Sequence, residues 1–561
     1  MNPPRCLRPL FSLLVLLAGA AAAGAATTAP SLVVVISVDQ LRADYLERFA
    51  PYFSDDGFNR LAREGLTFAD SHYRHSLTKT GPGHAVMLTG VHANIHGIIA
   101  NEWLLRTWPA LEQVNCVEDR DSPLVGAAPI TVRSPGGVLE AKTGRSPRHL
   151  LASTVGDQLK LRYGPAAKVF GVADKDRAAI LMTGKLADGA YWTESGRVVT
   201  STFSRAELPT YFTAFNAEQR VEQCFGREWT RLLDPKIYEA VQGPDDAEGE
   251  ASEAGLTRTF PKRIDGGQKT IGKDFYEAYD HTPWDNELVA DMARELIVNE
   301  KLGQADGAPD LLAVGFSQTD KVGHGYGPDS HEIMDAIVRL DRTIADLLKF
   351  IDGKVGLKNC TIVLTADHGV APLPERIQAM SRDVATGRVK GADIDQQVFA
   401  ALDAKFGALS GGERWAARDG LGYHLNPAAL AQKQLAPEAL ENAVREAVLQ
   451  HPAVAAAYTR TRLADPAPLN RVGEAMRLSY FPPRSPDVMT VLKPYFIDRA
   501  TPGTTHGTPY DYDNHVPLLW FGVGVKPGVR TERVGIDDLA PTLAHILGVP
   551  EPPLAEGRVL F

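Results

Sequence analysis

Leu32-Val33-Val34-Val35-Ile36-Ser37-Val38-Asp39 is the stretch on which the reading of this chain turns. Its residues up to Val38 are aliphatic and mostly β-branched, broken only by Ser37, and polar and apolar positions do not alternate. That pattern predicts a strand buried on both faces of a parallel sheet. The strand ends on a carboxylate, Asp39. Similar short apolar runs recur at residues 168–172, 311–316, 361–364 and 516–521. Helical periodicity lies between them. In residues 330–351 the apolar positions Ile333, Ile337, Leu340, Ile344, Leu347, Leu348 and Ile351 share one face of a 3.6-residue repeat, with Ser330 placed as N-cap. Residues 285–302 predict another amphipathic helix. Strands alternating with helices predict an α/β fold, a mostly parallel central sheet with helices on both faces. Sites in such sheets form beyond the carboxyl ends of the strands.

Outward from this core, 44% of the 561 residues are hydrophobic and 23% charged, the composition of a folded globular enzyme rather than a disordered chain. A net charge of −10 disfavours non-specific nucleic-acid binding, so a negative substrate must be held by local positive charge. Residues 1–26 stand apart: Arg5 and Arg8, an apolar run from Leu10 to Ala18, then alanines ending at Ala26. This predicts a signal peptide cleaved near Ala26 and a periplasmic or secreted product. The apolar run is shorter than the roughly 20 residues a membrane anchor needs, so no stable membrane insertion is expected. Cys6 precedes that run; Cys116, Cys224 and Cys360 remain after cleavage, and the spacing leaves their pairing open. Residues 105–165 and 180–270, rich in Gly, Pro and charge, read as insertions. Residues 372–500 carry a helix at 437–449 and a strand at 488–491, and read as a cap domain. The expected organisation is a signal peptide (1–26), a first part of the catalytic core (27–371), the cap (372–500) and the last part of the core (501–561).

Acidic residues and histidines cluster where these strands end. Asp39 follows the first strand, Asp320 and His324 the third, and Asp367 and His368 the fourth, while His506 stands shortly before the last. One Asp after a strand is ordinarily a cap or turn residue, and one His a structural one. Three Asp and three His converging on one sheet edge supply oxygen and nitrogen ligands suited to zinc or a related divalent ion, enough for two metals. Thr80-Gly81-Pro82-Gly83-His84 reads as the start of a helix, with Pro82 in its first turn and Thr80 just before its N-terminus, where backbone N–H groups and the dipole favour an anion. A metal beside the Thr80 hydroxyl would favour its ionised, nucleophilic form.

With these pieces in view the chain resembles the alkaline phosphatase superfamily, in the branch with a threonine nucleophile. That branch holds bacterial threonine-dependent alkaline phosphatases and nucleotide pyrophosphatase/phosphodiesterases. The resemblance is carried in order by Val38-Asp39-Gln40, Thr78-Lys79-Thr80-Gly81-Pro82-Gly83-His84, His96-Gly97-Ile98-Ile99-Ala100-Asn101, Asp320 with His324, Ala366-Asp367-His368-Gly369 and Thr505-His506-Gly507. It extends from about residue 32 to the C-terminus, least clearly in the cap. It implies two Zn2+ per chain, one held by Asp39, Thr80, Asp367 and His368 and the other by Asp320, His324 and His506. It assigns Asn101 and the backbone N–H of Gly81 to a phosphoryl oxygen. Lys175 and Arg177, in Ala173-Asp174-Lys175-Asp176-Arg177, resemble the pair that contacts phosphoryl oxygens in the monoesterase members.

The implied activity is hydrolysis of small-molecule phosphate monoesters by in-line attack of Thr80, through a phosphothreonine intermediate and with net retention at phosphorus. Two alternatives stand beside it: a phosphodiesterase or nucleotide pyrophosphatase on the same scaffold, and an exported metal-binding protein without catalysis. A sulfatase would want Cys or Ser where Thr80 stands. The physiological ester, the metal loaded in the cell and the oligomeric state stay open.

Overall fold

The computed structural model describes residues 29–109, 111–126, 131–133, 139–141, 144–305 and 307–561. The expected signal segment and Cys6 lie outside the described residues.

A ten-stranded sheet organises the chain. Its strands are β1 (Leu32–Val38), β2 (Leu66–Phe68), β3 (Leu124–Val125), β4 (Val169–Ala173), β5 (Gly189–Glu194), β6 (Arg197–Ser201), β7 (Asp310–Phe316), β8 (Cys360–Thr365), β9 (Leu518–Gly522) and β10 (Gly528–Arg530). Their order across the sheet is β10-β2-β9-β8-β1-β7-β4-β5-β6-β3. All seven residues of β1 are buried, each large aliphatic one contributing about 1.5–3 kcal/mol. β1 pairs in parallel with β7 on one side and β8 on the other, Val38 opposite Phe316 and Ser37 opposite Thr365. The residues that follow these three central strands therefore emerge side by side at one edge.

The sheet is mixed where a mostly parallel one was expected. β9 runs antiparallel to β8, so the chain entering β9 arrives at the edge that the parallel strands leave. This is how His506, which precedes its strand, can join residues that follow theirs. Nor is residues 180–270 wholly an insertion: β5 and β6 form a hairpin that extends the main sheet, and β3, within 105–165, adds its last strand. Ser195 and Gly196 join β5 to β6, both with positive φ (50° and 70°), the conformation that matches a tight hairpin to strand twist.

Two sets of helices pack with the sheet. One comprises α1 (Thr80–Thr89) and α2 (Asp176–Thr183); the other comprises α3 (Pro283–Asn299), α4 (Gln318–Tyr326) and α5 (His331–Lys354). Ser330 caps α5, its hydroxyl accepting from Ile333 N at 3.1 Å, and the α5 residues named from the sequence pattern are all buried. The 372–500 region carries its own four-stranded sheet, with strands Ala416–Asp419, Gly422–Leu425, Val488–Leu492 and Val454–Thr459. It also has a separate apolar cluster, including Val398, Trp415, Leu440, Val444 and Val488. Cys116, Cys224 and Cys360 are all free and buried.

Candidate active site

The ends of β1, β7 and β8 deliver Asp39, Asp320 and Asp367 to one place. Asp39 N–H donates to Phe316 O at 2.8 Å, which locks the end of β1 to the end of β7. Asp320 and His324 lie on α4, one turn apart, with His324 Nε2 3.3 Å from Asp320 Oδ1. His368 Nε2 lies 3.4 Å from Asp39 Oδ1 and 3.4 Å from Asp367 Oδ2. The His506 ring stacks on His368, centroids 3.6 Å apart, and its Nε2 is 3.7 Å from Asp320 Oδ1. The six Asp and His side chains among the seven residues expected to hold metal are thus brought together. Asp39, Asp367 and His368 form one close group; Asp320 and His506 approach His368 to form a second, with His324 alongside.

The chemistry of this donor set fits a cation. His324, His368 and His506 each direct Nδ1 at a backbone carbonyl, those of Thr504, Gly369 and Thr78 at 2.9, 2.9 and 2.7 Å. A carbonyl only accepts, so each Nδ1 carries a proton, and in the neutral ring each Nε2 then presents a lone pair. Those lone pairs face carboxylate oxygens, an arrangement that needs positive charge between them. His368 Nε2, Asp39 Oδ1 and Asp367 Oδ2 are buried without a hydrogen-bond partner. Burial, then the neighbouring Asp320 and Asp367, raises Asp39 to about 7, and burial raises Asp367 to about 6. Burial also drives His506 well below its ordinary value. At His324 burial opposes protonation, but Asp320 outweighs it and the shift is upward.

Thr80 is the first residue of α1, one position further in than expected, with Lys79 as the cap residue. The helix is buried along its whole length. His84, one turn on, donates from Nδ1 to Thr80 O at 2.8 Å and accepts from Ser37 Oγ at 3.1 Å, tying the start of α1 to β1. Gly83 allows α1 to lie against the Asp367 loop: a Cβ there would come within 2.4 Å of Asp367 O. Gly81 N–H donates to Asn101 Oδ1 at 2.7 Å, so this N–H orients the Asn101 carboxamide rather than standing open to an anion. Cys116 flanks the same turn, its Sγ 3.2 Å from where a Gly81 Cβ would be.

Lys175 and Arg177 are not surface charges. Lys175, 9% exposed, reaches across the site and donates to Asp39 Oδ2 at 2.6 Å and to Asp320 Oδ2 at 2.5 Å. The resemblance implies that it contacts phosphoryl oxygens; in the structure its ammonium lies against the crowded carboxylates and neutralises them. Arg177, near Asp176 at 3.6 Å, keeps Nε buried and without a partner. Three positioning features were not singled out from the sequence, one of them the His84 tie between α1 and β1. Gln40 joins Asp367 and Asp320, and Lys321, beside Asp320, pairs with Asp174 at 2.7 Å behind the site. Gln40 and His84 stand inside motifs that carry the resemblance; Lys321 has no signal beyond its neighbour.

The chain is 33% identical over 529 residues, 93% of its length and 92% of the other's, to a Myroides odoratus protein named calcium-transporting ATPase. It is 32% identical over 537 residues, 94% of its length and 93% of the other's, to alkaline phosphatase PafA of Elizabethkingia meningoseptica. The crystal structure of wild-type PafA superposes with a TM-score of 0.85 at 30% identity, covering 95% of this chain and 98% of that one. A solved PafA variant has one threonine, one asparagine, one lysine and one arginine replaced. Its threonine–asparagine and lysine–arginine spacings equal those of Thr80–Asn101 and Lys175–Arg177. The model of the type I phosphodiesterase / nucleotide pyrophosphatase family matches residues 33–509, and with most of the chain inside that span, the chain belongs to this family.

Proposed function

We infer that this chain is an alkaline phosphatase, a metal-dependent enzyme that hydrolyses phosphate monoesters. The observation that carries the reading is the convergence of three carboxylates and three Nε2 lone pairs on one sheet edge, beside a buried lysine and arginine. Similarity over most of the chain to proteins named alkaline phosphatases supports the choice of monoesters over diesters within the family.

In this reading Asp39, Asp367 and His368, with Thr80, hold one zinc ion, and Asp320, His324 and His506 hold another. Two zinc ions would supply positive charge to the phosphoryl group, the nucleophile and the leaving oxygen. Thr80 Oγ1 gives up its proton to solvent and attacks phosphorus as the ester O–P bond breaks on the opposite side, and the alcohol leaves with a proton taken from solvent. Water then attacks the phosphothreonine, the Thr80 O–P bond breaks and phosphate is released, so each turnover consumes one water and restores Thr80. Asn101, with its carboxamide fixed by Gly81 N–H, offers its amide to a phosphoryl oxygen. Lys175 and Arg177 meet the oxygen and charge that a monoester has in excess of a diester, with Arg able to bind as a fork. The residue pattern of 1–26 supports export to the periplasm or beyond.

The test is metal analysis with matched kinetics. Purified protein should carry close to two zinc equivalents, lose activity to a strong chelator, and turn over an aryl monoester faster than its methyl diester. Full activity after metal removal, or a diester preference, would overturn the reading.

A further inference from the structure

One neutral residue touches both metal groups. Gln40 follows Asp39 at the end of β1 with φ of 65°, a left-handed conformation uncommon for a residue with a side chain. It is 1% exposed. Its backbone N–H donates to Asp367 Oδ1 at 3.1 Å. Its Nε2 donates to Asp320 Oδ1 at 2.6 Å and lies 3.4 Å from Asp320 O. Gly323, between Asp320 and His324 on α4, leaves it room: a Cβ there would lie 1.7 Å from Gln40 Oε1. The turn at Gln40 thus sends the main chain to a carboxylate of one group and the side chain to a carboxylate of the other. Lys175 also spans two carboxylates, but it is charged and a bound cation would compete with it. An amide donor carries no net charge and can keep both bonds when cations are present.

We propose that Gln40 is a positioning residue that holds the two metal groups in register, fixing Asp367 through its main chain and Asp320 through its carboxamide. The inference rests on the two-metal reading above and touches neither substrate nor the reacting atoms. It makes an asymmetric prediction. Removing the side chain deletes only the bond to Asp320, because the Asp367 bond belongs to the backbone.

Gln40→Met keeps the bulk and removes the donor; Gln40→Gly removes both and relaxes the positive φ. The full-length chain is dialysed against graded zinc buffers, and zinc retained per chain is measured beside the thermal midpoint of the metal-free protein. Crystals at limiting zinc, read by anomalous scattering, identify which ion is lost. Both variants should bind the ion at Asp320, His324 and His506 about 10–100-fold more weakly, and the ion at Asp39, Asp367 and His368 as the unaltered chain does. Wild-type affinity at both positions in Gln40→Met, or equal weakening of both, overturns the proposal. An unaltered chain that binds fewer than two ions overturns the two-metal reading and this inference with it.

Discussion

The two halves of the site differ in their exposure. Asp39, Asp367 and His368 have side chains that are 0% exposed, whereas His324 is 28% exposed and Asp320 and His506 are 7% each. The inner group is built from the ends of two adjacent central strands, locked in parallel register and backed by α1. The outer group comes from a helix turn and a loop before the antiparallel β9. Water and a departing alcohol need the open side, while a nucleophile and its countercharge gain from the dry one, where electrostatic interactions are less screened. A site of this kind is rigid where charge must be held and accessible where molecules must pass.

That contrast can be broken most severely at the imidazoles. His368→Ala should abolish measurable phosphatase activity and leave the inner position without metal at any practical zinc concentration. His324→Ala should weaken the outer metal by more than the roughly 10–100-fold of an outer-shell change, yet recover part of its activity as zinc is raised. Zinc titrations of both variants, followed by activity, check this. Equal rescue of the two would mean that the groups are not unequal.

Lys175 ties the groups together through Asp39 and Asp320, so its loss tests what spans them. Charge-assisted contacts are worth about 1.5–3 kcal/mol each. Lys175→Ala/Arg177→Ala should therefore lower kcat/KM on a monoester by about a hundredfold or more. A matched diester should lose less. Parallel loss on both substrates would remove these residues from monoester recognition.

A smaller effect should reach the inner group alone. In Gly83→Ala the added Cβ would meet Asp367 O at 2.4 Å and Asp367 Cβ at 2.8 Å, and α1 must shift to relieve it. The cost in stability should be about 1–3 kcal/mol, with weaker inner zinc and unchanged outer zinc. Thermal unfolding and zinc titration measure both parts.

Much of this architecture was legible before any coordinates. The central strands announce themselves because both their faces are buried, which leaves unbroken aliphatic runs such as residues 32–36. Ser330 was legible as a cap because the apolar period starts right after it. The hairpin of β5 and β6 was not: its strands mix buried positions with Thr193, Glu194 and Arg197, and its turn is a single Ser-Gly pair. The direction of β9 could not be read either, since an apolar run looks the same in both directions. Among site residues, the strand-end carboxylates were visible from position. The engagement of Lys175 with two of them, and of Gly81 N–H with Asn101, depends on distances across 136 and 20 residues of sequence that local patterns do not encode.

In the proposed reaction Thr80, at the head of a buried helix beside the inner group, takes the phosphoryl group. The most direct measurement is acid quenching of the enzyme during turnover of an excess of monoester, followed by peptide mass spectrometry. The account predicts a phosphorylated peptide modified at Thr80, absent from Thr80→Ala, which should itself be at least about a thousandfold slower with unchanged thermal stability. Phosphate on another residue, or near-normal turnover by Thr80→Ala, would contradict it.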